Sequence, residues 1–209
     1  MDAYILDTNL FFNMEEGMDL GGKTEEVVVY ITKAAKELKK NQQTQFYMTP
    51  RIVEEFLSFF ENKEQPFLKE FLAQIIIQSP TINTLLFPAQ VFYLLIDDIR
   101  GRSYRGLRVG EEEIQKAGIL MQGRGTLSKK EFEMTIGEVV KKFRERYRQA
   151  TRVGFLDSLA DLDIIMLAKE INGVLVSTDE GVLHWGRIFG VKEMPARAFG
   201  SKMREKLPF

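Results

Sequence analysis

Short apolar runs that stop dead at an acid constrain this chain most. Residues 3-AYIL-6 are continuous hydrophobe and end at Asp7; 174-VLVS-177 ends the same way at Thr178 and Asp179. A run of four apolar residues without alternation is how a strand buried on both faces reads, and such strands belong to parallel sheets. Helical segments lie between them. Residues 24–40 (TEEVVVYITKAAKELKK) open with acids and close with lysines, and Thr24 is placed to cap. Residues 45-QFYMT-49 read as a second strand, and Pro50 suits the first turn of a helix through 51-RIVEEFLSFFE-61. A further helix covers about 66–78. Later, 158–171 (SLADLDIIMLAKEI) reads as an apolar helix ended by Asn172 and Gly173. A helix or turn at 180–188 and a weak strand near 190–198 close the pattern. Strands alternating with helices imply an α/β fold on a parallel sheet.

The middle, about 85–152, offers no convincing strand. An apolar helix starts at Pro88, a patch rich in glycine and arginine follows (100-RGRSYRGLRVG-110), and a short helix lies near 111–121. Ser128 then caps a long helix to about 150, with Glu131 in the capping-box position. The expectation is a helical insertion, 85–152, in an α/β domain made of 1–84 and 153–209. With 209 residues and 44% hydrophobic content the chain can bury a real core.

The acids set the chemistry. Ligands bind open α/β sheets beyond the C-terminal ends of the strands. Asp7 and Asp179 fall at such ends. The segment 157-DSLADLD-163 opens a helix at the same edge, with Asp157 and Asp161 four apart on one face and Asp163 turned elsewhere. Glu54 and Glu55 fall on the helix after the second strand, and Glu54, nearer the strand end, is the candidate. Carboxylates from distant segments repel unless a cation joins them. A donor set of oxygens alone suits Mg²⁺ or Mn²⁺, and such ions support in-line phosphodiester displacement. An acid at a helix start also serves as a cap, so Asp157 and Asp179–Glu180 each have a purely local reading.

The chain has no cysteine, which excludes disulfides, zinc–thiolate sites and cysteine nucleophiles. No GxxxxGK[ST] loop supports an NTPase. The sole histidine, His184 beside Trp185, is read as structural. The first residues, MDAYILDTNLFF, do not form a signal peptide, and no apolar run reaches the roughly 18 residues of a membrane span. A soluble cytoplasmic protein is the expectation. Net charge is −1, so a nucleic-acid partner depends on where the cations lie. They gather at 141–152 (KKFRERYRQATR), where six residues are basic and one acidic. Lys141, Arg144 and Arg148 share a helical face suited to an RNA backbone, and the helix leads through 153-VGFL-156 to the acids. Tyr147 is placed to stack on a base or to join the core. Arg100, Arg102, Arg105 and Arg108 form a looser basic patch, for RNA or for a neighbouring subunit. The nearly all-round apolar helix from Pro88 calls for a partner, either a second copy or the chain's own long helix.

The DTN at 7–9, TPRIVEE at 49–55, DSLADLD and VLVSTDE at 174–180 together resemble a PIN domain, a metal-dependent ribonuclease fold with a parallel sheet between helices. That resemblance puts Asp7, Glu54, Asp161 and Asp179 in the four acidic positions. Asp157 and Asp163 flanking Asp161, the Asp179–Glu180 doublet and the mid-chain insertion look most like the minimal prokaryotic protein-only ribonuclease P family (HARP, RNA ligase partner). Some members carry two aspartates where this chain has Asp179 and Glu180. The resemblance implies removal of the 5′ leader from precursor tRNA with Mg²⁺ or Mn²⁺, catalysed through Asp7, Asp157, Asp161, Asp163, Asp179 and Glu180. It also implies a homo-oligomer assembled through the helical arm. The alternatives are a toxin-type PIN ribonuclease, for which the arm is too long, and a non-catalytic RNA-binding PIN protein, for which the acids are too complete.

Overall fold

The computed structural model describes residues 2–13, 18–40, 44–81, 83–152, 156 and 158–207. Asp157 lies outside them, as do residues 153–155 that join the basic helix to the acidic segment. The chain divides into two compact units, Met1–Pro88 with Leu156–Phe209, and Ala89–Phe155.

The first unit is an α/β sandwich. In chain order its elements are β1 (Asp2–Leu6), α1 (Asn9–Phe12), α2 (Thr24–Lys40), β2 (Thr44–Met48), α3 (Pro50–Ser58), α4 (Pro66–Leu72) and β3 (Ile76–Ile77). After the second unit, which contributes α5 (Gln90–Met121) and α6 (Lys129–Arg152), come α7 (Leu159–Glu170), β4 (Val174–Ser177), α8 (Glu180–Ile188), β5 (Lys192–Pro195) and α9 (Ala196–Lys206). The five strands are all parallel, in the order β3-β2-β1-β4-β5. β1 is therefore central, and Tyr4, Ile5 and Leu6 are fully buried, as a strand covered on both faces requires. Phe46 stacks against Tyr4, and Phe199 of α9 closes on both rings edge-on.

Local signals explain the boundaries. Thr49 caps α3, accepting from the Ile52 amide, with Pro50 in its first turn. α7 ends where Asn172 turns left-handed at φ 50°. The next residue is glycine, and a Cβ on Gly173 would stand 2.4 Å from Ile5 Cδ1 and 3.1 Å from the Ala3 carbonyl oxygen of the central strand, so a larger residue would displace a core side chain.

Three segments differ from the sequence expectation; in one, the strand expected near 190–198 spans only Lys192–Pro195, and Ala196–Lys206 form the helix α9. The helix expected over about 66–78 stops at Leu72, and Ile76–Ile77 instead pair with Tyr47 and Met48 as the edge strand β3. A short apolar run does not distinguish strand from helix by periodicity. The apolar helix, glycine patch and short helix expected over 88–121 are one helix, α5, of 32 residues. Gly106 within it serves contact rather than flexibility. A Cβ on Gly106 would lie 2.6 Å from the ring of Tyr147 on α6, so the missing side chain is what lets that ring sit down on the helix. Arg102 and Arg105 of the patch reach the last turn of α6, donating through Nε to the carbonyls of Thr151 at 2.5 Å and Ala150 at 2.7 Å. They satisfy carbonyls that a helix end leaves open. The capping box holds: Glu131 accepts from the Ser128 amide at 2.9 Å, and the Glu131 amide donates to Ser128 Oγ at 3.3 Å. Among the described residues no helix is long and apolar enough to cross a membrane.

Candidate active site

The site grows from the central strand. Asp7 follows β1 directly and its amide donates to the Val176 carbonyl of β4 at 3.1 Å, continuing the ladder by one residue. This fixes the Asp7 carboxylate at the C-terminal edge, where β1 and β4 part, and leaves it only 2% exposed. Ser177, the last residue of β4, donates its hydroxyl to Asp7 Oδ2. The Asp179 amide in turn donates to Ser177 Oγ at 2.9 Å. Asp179 is the N-cap of α8, its Oδ1 accepting from the amides of Gly181 at 2.7 Å and Val182 at 3.2 Å. The local capping reading of Asp179 is therefore real, and it holds the residue rigidly beside Asp7.

Asp161 arrives from α7, whose N-cap Ser158 accepts from the Asp161 amide at 3.0 Å. Its charge, with those of Glu55 and Asp179, reaches Asp7. Burial first, and then these three carboxylates, push the Asp7 carboxyl up to about 7 against the Ser177 hydrogen bond, which favours the charged form. Four segments of chain thus bring like charge to one edge, at the position where open α/β sheets bind ligands.

The α3 member of this group is Glu55. Glu54, the expected fourth acid, is exposed, as Glu55 is, but among the leading charges that raise Asp7 the one from α3 is Glu55's. The helix phase explains it. Ile52, Val53 and Phe56 are buried and define the inner face of α3, which leaves Glu54 opposite that face and Glu55 on its flank. Three apolar residues carried this signal in the sequence. Arg51 lies one turn before Glu55 on the same flank and forms an ion pair with Asp163 of α7, a pairing that no sequence spacing announces.

The remaining acids are engaged differently. Asp163 faces Arg51. Glu180, 79% exposed at its side chain, pairs with Arg187 at 2.7 Å, and Arg187 also pairs with Glu193. Among the described residues no group of three or more acids or histidines stands at metal-ligating spacing. The donor chemistry nonetheless fits a hard divalent cation. Asp7, Asp161, Asp179 and Glu55 offer oxygen only, and a shielded Asp7 raised by its neighbours' charge is a group that a cation would relieve.

In the second unit Lys141, Arg144 and Arg148 are exposed on α6, and none takes an ion pair among the described residues. Arg146, between them, is committed to Glu112 and Glu113 of α5. Tyr147 lies on Gly106 with Phe143 at 5.6 Å between ring centroids, so it packs within the hairpin while staying 43% exposed.

Residues 3–208 match the family model described as a PINc domain ribonuclease. Among curated proteins, the RNA-free ribonuclease P of Pyrococcus furiosus is 33% identical, over 98% of this chain and 94% of its own. That of Hyperthermus butylicus is 35% identical over 90% and 82%, and that of Thermodesulfovibrio yellowstonii is 30% identical over 90% and 86%. This chain belongs to the PINc-domain ribonuclease family, as a nuclease of the RNA-free ribonuclease P type.

Proposed function

We propose that this nuclease hydrolyses one phosphodiester bond in precursor tRNA, releasing the 5′ leader, and that it does so with Mg²⁺ or Mn²⁺ held at the C-terminal edge of the sheet. The observation that carries the reading is Asp7, shielded from water at the end of the central strand with the charges of Asp161, Glu55 and Asp179 upon it. That the relatives are RNA-free ribonucleases P supports the substrate.

Asp7, Asp161 and Asp179 would hold the cation, with the α3 position filled by Glu55 in place of Glu54. Bound there, a divalent ion supplies charge to the phosphoryl oxygens and acidity to the attacking water. The chain's own residues do the positioning. Ser177 orients Asp7 through its hydroxyl. The α8 amides hold one oxygen of Asp179 and leave the other for the cation. Asp157, Asp163 and Glu180 complete the acidic rim, while Lys141, Arg144 and Arg148 take backbone phosphates of the RNA. The partners are precursor tRNA and further copies of the chain joined through the helical arm, in the cytoplasm. The exposed apolar side chains of α5 support the self-association, among them Phe92, Tyr93, Ile96 and Ile114.

Incubation with 5′-labelled precursor tRNA and Mg²⁺ tests this. One cut at the mature 5′ end is expected, abolished by EDTA and restored by Mg²⁺ or Mn²⁺. Scattered cuts point to a toxin-type nuclease, and no cut with intact RNA binding points to a binding protein. Light scattering checks the arm: a species well above 24.1 kDa is expected, and a clean monomer removes it from assembly.

A further inference from the structure

An RNA phosphate that approaches this edge meets a wall of like charge, so the rim needs cations of the chain's own. Arg51 is placed to be one. It lies in the first turn of α3, where the helix dipole disfavours a positive charge and where the helix carries no acid of its own. A cation at a helix start is a local cost that something else in the fold must offset. The offset is Asp163: its carboxylate on α7 pairs with Arg51 Nη1. The Asp163 side chain is 16% exposed and Arg51's is 53% exposed. A guanidinium has five N–H donors. Asp163 engages one terminal nitrogen, and among the described residues it is the only acid that Arg51 pairs with. About half of the Arg51 side chain stays exposed, on the helix flank that also carries Glu55, whose charge acts on Asp7. The partly buried acid is the anchor and the exposed cation is the working end.

Resting on the proposed RNA cleavage, we infer that Arg51 contacts a substrate phosphate beside the scissile one and that Asp163 is its positioning residue rather than a metal ligand. An Arg fork suits a phosphate geometrically, and its hold on Asp163 removes rotamer freedom before the RNA arrives. The acids of DSLADLD then divide by task. Asp161 addresses Asp7 and the cation, and Asp163 addresses the RNA through Arg51.

The test compares Arg51→Gln, Arg51→Lys, Asp163→Asn and the Gln/Asn double variant in full-length protein. In cleavage of precursor tRNA, Arg51→Gln and Asp163→Asn should each raise KM about tenfold, the loss expected for one charge-assisted hydrogen bond. The Mg²⁺ concentration for half-maximal rate should stay in place in both, and kcat should stay in place in Arg51→Gln. The double variant should be no worse than either single one, because the pair acts as a unit. Binding is read separately in EDTA, with precursor tRNA and with an unrelated structured RNA. The slope of log affinity against log salt should fall by about 0.7–0.9 in Arg51→Gln, one phosphate contact, and recover in Arg51→Lys. An unchanged slope in Arg51→Gln overturns the inference. So does an Asp163→Asn variant that needs more Mg²⁺ while Arg51→Gln does not, since Asp163 would then serve the metal. Wild-type protein that binds RNA without cutting the leader sinks the functional reading instead, and the binding arm still judges Arg51.

Discussion

Asp7 and Glu113 are both shielded from water, at 2% and 3% exposed, yet the molecule treats them in opposite ways. Glu113 sits in the two-helix layer of α5 and α6, where Lys116 and Arg146 hydrogen-bond to it and hold its carboxyl below the usual range. Asp7 sits in the sheet unit with one serine hydroxyl for company, and burial and three other carboxylates push it up to about 7. A shielded acid given its own cations belongs to the architecture. A shielded acid surrounded by acids is unstable as it stands, and that is the mark of a group kept for binding or chemistry. The second unit uses its opposite charges to hold two helices together; in the first, Asp7 takes no ion pair among the described residues.

The sharpest way to break the comparison is to neutralise each acid. Asp7→Asn should lower precursor-tRNA cleavage by at least about a thousandfold, equivalent to about 4 kcal/mol of transition-state stabilisation, while RNA binding in EDTA persists. Glu113→Gln should leave kcat in place. Equal losses from both would show that Asp7, too, is merely structural.

Stability against pH separates them next, in metal-free protein. Asp7 titrates at about 7 when folded, against 3.8 as the ordinary value. Its protonated form therefore favours the fold: the contribution is complete below about pH 3.8 and is lost as pH rises through about 7. The span is worth up to about 4 kcal/mol. Urea melts in EDTA should show wild type weakening between about pH 5 and 8, and Asp7→Asn should flatten that trend and be the more stable at about pH 8. Glu113 has the opposite sign. Its lowered carboxyl contributes above the ordinary value of 4.5 and loses that contribution in acid, so Glu113→Gln should be the less stable variant at neutral pH and above. Wild-type stability that stays level from about pH 5 to 8 would contradict the raised carboxyl of Asp7.

Packing of the hairpin offers a smaller effect. Gly106→Val puts carbon where the Tyr147 ring lies 2.6 Å away, and overpacking of this kind costs about 1–3 kcal/mol. A lower melting temperature with kcat/KM near wild type in the folded fraction is expected. An unchanged melting temperature would mean that the two helices do not rely on this close approach.

How far these features could be read from sequence follows from the range of the interactions. The ends of β1 and β4, the Ser128–Glu131 box and the Asn172–Gly173 stop are local patterns, visible within a few residues. Asp7 and Asp179 were legible because an acid just past a buried parallel strand stands at the edge where such sheets bind their ligands. Glu55 was legible in principle, through the phase set by Ile52, Val53 and Phe56, but strand proximity favoured Glu54. Three features could not be seen, because each depends on a contact between distant segments. Arg51 meets Asp163 across 112 positions, and Ser177 meets Asp7 across 170. The third is the glycine patch, which reads as a break until Tyr147 and the end of α6 arrive to use it.

The arginines of α6 carry the comparison to its finest scale. Arg146 is bound to Glu112 and Glu113, whereas Arg144 and Arg148, two residues to either side, take no ion pair among the described residues. Arg146→Ala should lower the stability of the hairpin and leave the salt dependence of RNA binding unchanged. Arg144→Ala with Arg148→Ala should do the reverse: an ordinary melt, and a slope of log affinity against log salt shallower by about 1.4–1.8, two phosphate contacts. Surface charge changes of this kind move stability by less than about 0.5 kcal/mol, so the two readouts do not interfere. If the double variant binds RNA with the wild-type slope, the exposed stripe is only a solvated helix face, and the cations that meet the backbone must be sought in the sheet unit, beginning with Arg51.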